Sequence, residues 1–158
     1  MGRTGVRAVA ILIKDNKILL MHRSRDNKKY WVFPGGGVEK NESVQNAVIR
    51  EIEEEASIKS EIIKLLYSHK YSDTDGCHYF YLCKYISGTP KLGNFNELQI
   101  MKKGNQTYKP IWVNIKKLAN LLPYPLEIRD WLIEDFKNSF KDAPRSAILE
   151  TKDLRQKI

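Results

Sequence analysis

The sequence has few of the features that mark membrane, secreted or repeat proteins. No apolar run approaches the roughly 20 residues of a membrane-spanning helix. Residues 1–5 lead directly into a strand pattern and lack the apolar region of a signal peptide. Val6 stands where a myristoylation start would have Ser or Thr. Neither an internal repeat nor a low-complexity segment is present. These absences predict one globular domain that does not enter a membrane.

Cysteine is scarce. Cys77 and Cys83 are the two in the chain, six positions apart. This spacing fits neither a metal site nor a disulfide framework. Two reduced thiols are typical of a cytoplasmic protein, and we predict a cytoplasmic location on this basis.

Acidic residues are outnumbered by basic ones, and the formal net charge is +8. Of the 158 residues, 42% are hydrophobic and 29% are charged, which suits one domain with a sizeable core. The positive charge favours anionic partners such as nucleotides, polyphosphates or nucleic acids. RNA is compatible with this charge but is not indicated, because the sequence shows no RNA-binding module and no aromatic–basic repeat.

The most informative segment covers residues 35–58, GGGVEKNESVQNAVIREIEEEASI. Residues 42–56 fit a helix whose first stripe is apolar, formed by Val44, Ala47 and Val48. The same stripe continues with three carboxylates: Glu51, Glu54 and Glu55. Three acids therefore lie beside the packed face of the predicted helix, after a glycine loop at residues 33–37.

This acidic cluster is unfavourable unless something compensates it. Each pair of like charges at these spacings is destabilised by about 0.2–0.5 kcal/mol. The helix dipole opposes each anion near the C-terminus by roughly 0.3–1 kcal/mol. A hard divalent cation compensates both effects, because Mg²⁺ prefers carboxylate oxygens. We therefore expect Mg²⁺ here, with Mn²⁺ as a substitute, and we expect Arg50 to pair with Glu54.

The spacing of these residues resembles the Nudix box, GX5EX7REUXEEXGU. Gly36 is followed after five residues by Glu42, and after seven more by the run REIEEEASI at residues 50–58. One fixed position differs, since Ser57 stands where the family has glycine. That glycine normally supplies a left-handed C-cap, so the sequence does not fix the residue at which the helix ends.

The resemblance implies a fold and a reaction. The fold is α+β, an α/β/α sandwich with a mixed sheet between helices, over residues 1–141. Residues 142–158 are expected to be a charged tail or a short helix of the same domain. The reaction is hydrolysis of a nucleoside diphosphate linked to another moiety, either a nucleoside triphosphate or an NDP-X compound. The partner is thus a nucleotide or nucleotide derivative, and a homodimer is left open.

The resemblance also implies site residues. The expected metal ligands are the Gly35 carbonyl, Glu51, Glu54 and Glu55. Arg50 is expected to orient the carboxylates, and Glu42 to act through water or by bonding Arg50. The catalytic base is either a glutamate of the box or Glu97, and Asp73 or Asp75 could take the role of Glu97. Arg23, Gly36 and Gly37 are candidates for contacts with the substrate.

Elsewhere, residues 22–29 read as an exposed basic loop, in which His22 is a weaker candidate for the base. His69 and His78 read as surface histidines. Strands are predicted at residues 6–13, 18–21, 62–71, 78–86 and 108–113, and helices at 115–122 and 126–140. Asp135 is placed at the edge of the last helical stripe, without a role.

Two alternatives stay open on the sequence alone. The substrate could be RNA, with pyrophosphate removed from a 5′ triphosphate end or a cap. The protein could also be a sensor that binds a nucleotide without cleaving it. The complete set of Arg50, Glu51, Glu54 and Glu55 argues against a sensor, because binding alone does not need every metal ligand.

Overall fold

The structure, a computed structural model, describes residues 3–91 and 107–149, with only the backbone for residues 3 and 4. Eight strands are formed within these ranges: β1 (Arg3–Lys14), β2 (Lys17–Arg25), β3 (Lys28–Val32), β4 (Gly35–Glu39), β5 (Lys59–Tyr71), β6 (Cys77–Ser87), β7 (Thr107–Asn114) and β8 (Arg145–Leu149). The helices of the same ranges are α1 (Val44–Ala56), α2 (Leu118–Leu121), which follows a 3₁₀ turn at Ile115–Lys117, and α3 (Leu126–Lys137).

All eight strands join one mixed sheet. The main order is β3-β2-β1-β6-β5-β8, while β4 pairs with β1 and β7 pairs with β2. The β1–β6 and β5–β8 pairs are parallel, and the other pairs are antiparallel. The mixed sheet predicted from the resemblance is thus confirmed.

Helices cover both faces of the sheet. On the first face α1 packs on strand residues, and the shared core contains Ala8, Ala10, Leu12, Leu19, Val38, Ala47, Val48, Ile52, Ala56 and Ile58. On the opposite face α2 and α3 pack on the alternate residues, and this core contains Val9, Ile11, Ile18, Leu20, Phe33, Tyr67, Phe80, Leu118, Ile128 and Leu132. The alternation of β1 between the two cores follows from the two-residue period of a strand. The α/β/α sandwich is therefore confirmed.

The prediction of an exposed basic loop at residues 22–29 is wrong. Residues 22–25 continue β2, which is paired on one side with β3 and on the other with β7. The hairpin turns at Asp26 and Asn27, which both have positive φ angles (52° and 65°). Two left-handed residues close a tight hairpin, and Asp and Asn tolerate this conformation better than most residues.

The tail predicted from residue 142 also differs from the structure. Residues 145–149 are neither a helix nor a tail but form β8, which extends the sheet beside β5. Arg145 at the start of β8 bonds the carboxylate of Asp135 on α3. Asp135 is fully buried and accepts a second hydrogen bond from the Tyr67 hydroxyl at 2.8 Å. Asp135 is therefore buried and joins α3 to β5 and β8, rather than lying at the edge of the apolar face of the helix.

The prediction of a surface histidine is wrong for His69. Its side chain is fully buried between Phe80 and Trp131, with ring centroids 5.6 and 5.5 Å away. Its Nε2 lies 3.1 Å from Glu127 Oε1. His78 is partly buried, with Nδ1 3.4 Å from the Tyr71 hydroxyl. No helix among the described residues is long and apolar enough to cross a membrane.

Candidate active site

Helix α1 begins and ends at defined caps. Ser43 is the N-cap, and its Oγ accepts a hydrogen bond from the Asn46 N–H at 3.1 Å. Ser57 adopts the left-handed conformation at φ 57° and donates its N–H to Glu53 O at 3.0 Å. The helix therefore ends at Ala56, and the serine takes the conformation for which the family uses glycine.

Packing of α1 fixes the depth of each carboxylate. The buried residues of the helix are Ala47, Val48, Ile52, Glu55 and Ala56. Glu55 therefore points toward the sheet and is only 5% exposed. Glu51 and Glu54 are less deeply buried, with side-chain exposures of 12% and 39%. Side-chain exposure therefore increases from Glu55, which faces the sheet, through Glu51 to Glu54, which is nearest to solvent.

Strand β4 brings glycine backbone against these acids. The Gly35 N–H donates to Glu55 Oε2 at 3.4 Å. A Cβ on Gly36 would lie 2.4 Å from Glu51 Oε1, so the Glu51 carboxylate occupies the space of a side chain. A Cβ on Gly35 would lie 2.5 Å from the Ala8 carbonyl oxygen. Gly35 is required because the β1 backbone approaches it closely, and Gly36 because the Glu51 carboxylate does.

Arg50 connects the carboxylates to one another. Its Nε donates to Glu42 Oε2 at 2.7 Å, and its Nη2 donates to Glu42 Oε1 at 2.9 Å and to Gly37 O at 3.0 Å. Its Nη1 donates to Glu51 Oε1 at 2.9 Å and to Glu54 Oε2 at 3.2 Å. The predicted pairs of Arg50 with Glu54 and of Glu42 with Arg50 are confirmed.

The protonation equilibria of the acids reflect their positions. Burial raises the pKa of Glu51, Arg50 opposes the rise, and the Glu54 charge adds to it. The pKa of Glu55 is raised well above its usual range by burial and by the adjacent Glu51 carboxylate, with which it shares a hydrogen bond. Hydrogen bonds from Arg50 lower the pKa of Glu42 instead. Two neighbouring buried acids therefore resist ionising together.

A divalent cation suits this donor set chemically. Glu51 and Glu55 are adjacent carboxylates whose burial opposes a second negative charge, and a cation of charge +2 offsets that cost. Hard oxygen donors are the ligands that Mg²⁺ prefers. In the described ranges, however, no three Asp, Glu, His or Cys side chains are already grouped so that they could hold a metal ion. Glu51 and Glu54 are turned to Arg50 in this arrangement.

Arg23 lies on β2, outside the Arg50 network. Its guanidinium stacks on Tyr108 at 4.5 Å and on Tyr30 at 5.7 Å, both measured to the ring centroid. Strand alternation places Arg23 on the same sheet face as Leu19, which packs in the core under α1. His22 points to the other face and contacts Trp31, with the ring centroids 4.6 Å apart and the ring planes tilted by 54°. The sheet therefore separates His22 from the acidic helix.

The second candidate for the base, Glu97, lies outside the described residues. Its competitors Asp73 and Asp75 lie in the β5–β6 turn, whose backbone approaches Gly5 at the start of β1. Sequence reasoning missed the partners of Arg23, because Tyr30 and Tyr108 are far apart in the chain and meet only through strand register.

Comparisons with known proteins agree with this geometry. The model of the NUDIX domain matches residues 4–133. The RNA pyrophosphohydrolase of Pelagibacter ubique is 29% identical over 157 residues, covering 89% of this chain and 92% of that protein. The ADP-ribose pyrophosphatase of Methanocaldococcus jannaschii is 42% identical over 66 residues, 41% of this chain and 39% of that protein.

Solved structures show the same fold. A NUDIX hydrolase from Nitrosomonas europaea superimposes with a TM-score of 0.67 at 19% identity, covering 92% of this chain and 77% of that one. The family match spans most of the described sheet together with α1 and its carboxylates. The chain belongs to the NUDIX family and is a hydrolase that acts on phosphoanhydride bonds.

Proposed function

We propose that this hydrolase cleaves the pyrophosphate linkage of a nucleoside triphosphate or an NDP-X compound, with Mg²⁺ as its cofactor. The observation that carries the proposal is the position of Glu51, Glu54 and Glu55. All three lie on one side of α1: Glu51 and Glu55 approach the glycine backbone of β4, and Arg50 bonds Glu51 and Glu54.

The metal would be held by carboxylate oxygens of Glu51, Glu54 and Glu55 and by the carbonyl of Gly35. When bound, it neutralises the pyrophosphate and activates water, and Mn²⁺ can substitute for Mg²⁺. Arg50 competes for the same oxygens, since its Nη1 bonds both Glu51 Oε1 and Glu54 Oε2. Glu42 moderates this competition because it accepts two hydrogen bonds from the same guanidinium.

The reaction consumes one water and breaks one phosphorus–oxygen bond of the anhydride. The water oxygen bonds to phosphorus, its proton passes to a carboxylate, and the bridging oxygen leaves with the other phosphate group. A glutamate of α1 or Glu97 accepts the proton, and Arg50 keeps the α1 carboxylates in position. The backbone of Gly36 and Gly37 would line the phosphates, and Arg23 would contribute positive charge on the same face of the sheet.

A second candidate substrate is the 5′ triphosphate end of RNA. It is favoured by the relative from Pelagibacter ubique, which is named RNA pyrophosphohydrolase and aligns over 89% of this chain. The net charge of +8 also favours a polyanionic substrate. The cytoplasmic location and a homodimer stay predictions.

A panel of substrates tests the proposal. We would measure phosphate or pyrophosphate release from nucleoside triphosphates, damaged nucleotides, ADP-ribose, sugar nucleotides, dinucleoside polyphosphates and 5′-triphosphorylated RNA. Mg²⁺, Mn²⁺ or a chelator would be present in parallel reactions. One substrate class should exceed the others, and its turnover should stop when the chelator is added. Metal-dependent nucleotide binding without turnover of any substrate would support the sensor instead.

A further inference from the structure

Two lysines face each other at the end of the sheet where β1 turns into β2. Lys14 and Lys17 are direct partners in the β1–β2 ladder, and a two-residue turn joins them. Lys14 alternates with Leu12, and Lys17 alternates with Leu19; both leucines pack in the core under α1. The two exposed side chains therefore lie on the same face of the sheet as α1.

This pair of positive charges is unfavourable unless an anion compensates it. Like charges on directly opposite residues destabilise a β-ladder. Asp15 lies in the turn between the lysines, yet neither ammonium group is within 4.0 Å of a carboxylate oxygen of the described residues. Lys14 Nζ lies instead 3.9 Å from the centroid of the Tyr85 ring, a cation–π contact that positions it. The lysine pair therefore suits an anionic ligand.

Two aromatic rings lie beside the lysines. The rings of Tyr85 on β6 and Trp112 on β7 meet edge to face, with centroids 6.0 Å apart and planes at 73°. Strands β1 and β2, which carry the lysines, lie between β6 and β7, so the two rings meet above them. Both aromatic side chains are partly exposed. Four strands thus assemble an aromatic and basic cluster that no continuous stretch of the sequence contains.

More lysines surround this cluster. Lys59 begins β5 and is the partner of Ser87 at the end of β6. Lys116 follows Ile115, whose N–H donates to Asn16 O in the β1–β2 turn at 2.9 Å. Lys59 and Lys116 are both exposed. We call this group the lysine–aromatic surface; it consists of Lys14, Lys17, Lys59, Tyr85, Trp112 and Lys116.

The lysine–aromatic surface is separate from the acids of α1. Val9 on β1 lies opposite Gly35, whose N–H bonds Glu55. Lys14 lies five residues further along β1, which is about 17 Å at the rise of a strand. No step of the proposed hydrolysis uses a residue of this surface. A ligand can therefore bind here without contact with the carboxylates.

We propose that the lysine–aromatic surface binds single-stranded nucleic acid. Lys14 and Lys17 bind one phosphodiester together. Lys59 and Lys116 attract neighbouring phosphates, and the exposed part of Trp112 contacts a base. This binding goes beyond the proposed hydrolysis, because it needs no phosphoanhydride.

The arrangement of charge and rings selects this ligand among anions. Cations carried by several strands complement a chain of phosphates better than a single phosphate, and an aromatic ring accepts a base of any sequence. A duplex keeps its bases paired and stacked, so it offers phosphates to the lysines but no base to Trp112. The net charge of +8 strengthens the attraction of a polyanion.

The test measures binding of a labelled oligonucleotide of about 12 nucleotides by fluorescence anisotropy. Its 5′ end is a hydroxyl, so hydrolysis does not affect the measurement. Lys14→Ala/Lys17→Ala should raise Kd about tenfold at about 0.15 M salt. It should also flatten the dependence of log Kd on log salt by about 1.4, since each contact with a single-strand phosphate contributes about 0.7.

The matched control is Lys70→Ala/Lys141→Ala. It removes the same charge from exposed positions at the other end of β5 and after α3. Kd should stay within about twofold of the wild-type value, because these lysines lie outside the lysine–aromatic surface. Equal effects of the two double variants would overturn the proposal, since the net charge alone would then explain the binding.

The contact with a base has its own test. Bound oligonucleotide should quench tryptophan fluorescence, and Trp112→Phe should remove this quenching, because Trp31 and Trp131 pack on the opposite face of the sheet. Inorganic polyphosphate and a duplex of the same length, which offer no free base, should leave the fluorescence unchanged. Quenching that persists in Trp112→Phe, or polyphosphate that binds as tightly as the oligonucleotide, would overturn the proposal.

Discussion

Arg50 and Glu42 form a two-bonded ion pair, with Nε 2.7 Å from Oε2 and Nη2 2.9 Å from Oε1. Glu42 precedes α1, whereas Arg50 lies in its middle, so the pair ties the loop after β4 to the helix. The remaining Nη1 of Arg50 is directed to Glu51 and Glu54. Glu42 therefore sets how strongly Arg50 competes for the oxygens that we assign to the metal.

Glu42→Gln should lower the affinity for Mg²⁺, beyond any effect on the stability of the fold. The substitution leaves the Arg50 charge unneutralised, which repels a divalent cation and favours the bonds to Glu51 and Glu54. We expect the Mg²⁺ concentration for half-maximal turnover to rise about 10- to 100-fold. Glu39→Gln is the control, because Glu39 is exposed and bonds Glu42 through its backbone: its N–H donates to Glu42 Oε1, and its carbonyl accepts from the Glu42 N–H. An unchanged Mg²⁺ dependence would show that Glu42 acts only on stability.

Gly36→Ala and Gly35→Ala should have different consequences. A Cβ on Gly36 meets the end of the Glu51 side chain, which can move. Turnover should therefore fall at least about tenfold, with a loss of less than about 1.5 kcal/mol in unfolding free energy. A Cβ on Gly35 meets the backbone of Ala8 and Val9 at 2.5 and 2.8 Å, which should cost at least about 1–3 kcal/mol. Urea denaturation measures the stability of each variant, and steady-state kinetics measures its turnover. Equal unfolding free energies for Gly35→Ala and Gly36→Ala would contradict this account.

Ser57→Gly should stabilise the protein. Ser57 holds φ at 57° after α1, a conformation that costs a residue with a Cβ roughly 1–2 kcal/mol. Glycine removes this cost but loses more chain entropy on folding, so the net gain should be about 0.5–1 kcal/mol. Ser57→Ala keeps a Cβ and should give no such gain. Chemical denaturation of the three proteins checks the order, and a glycine variant no more stable than wild type would contradict it.

His78 should make stability fall below neutral pH. Burial, with the charges of Arg7 and His69, lowers the pKa of His78 to about 4, whereas an unfolded histidine titrates near 6.5. The unfolded chain binds more protons between these values, so stability present above pH 6.5 is lost as pH falls toward 4. The maximum loss from this group is about 3 kcal/mol.

The measurement is unfolding free energy at several pH values for wild type and His78→Gln. The difference between the two isolates His78, because Glu51, Glu55 and the other groups titrate in both proteins. The difference should shrink or change sign in favour of the variant as pH falls from 7 to 4. A difference that does not vary with pH would contradict the assignment.

Sequence reasoning reached the parts of the molecule that local pattern determines. The 3.6-residue period located α1 and its acids, and the spacing of Arg50 from Glu54 predicted their contact. It missed features that depend on distant residues. The helical period predicts Asp135 at a helix edge, but Tyr67 and Arg145, from β5 and β8, bond its carboxylate. The sequence predicts His69 at the surface, but α3 covers it with Trp131.

The hairpin shows the same limit at the site. Residues 22–29 carry four basic side chains and two polar turn residues, which favours a loop by composition. Pairing with β3 and β7 makes the first half a strand, and the sequence does not show which strands lie beside each other. The aromatic partners of Arg23, Tyr30 and Tyr108, follow from the same register, so they could not be predicted.

The most direct test of the account is the turnover of Glu54→Gln at saturating Mg²⁺ on the best substrate of the panel. Glutamine keeps the shape of Glu54 but removes the charge assigned to the metal, and Glu54 is exposed enough that the fold should tolerate the change. Glu53→Gln is the matched control, because Glu53 is exposed on the same helix. We predict a loss of several orders of magnitude in kcat for Glu54→Gln and none for Glu53→Gln. Near wild-type turnover of Glu54→Gln would contradict the metal site that this account places on α1.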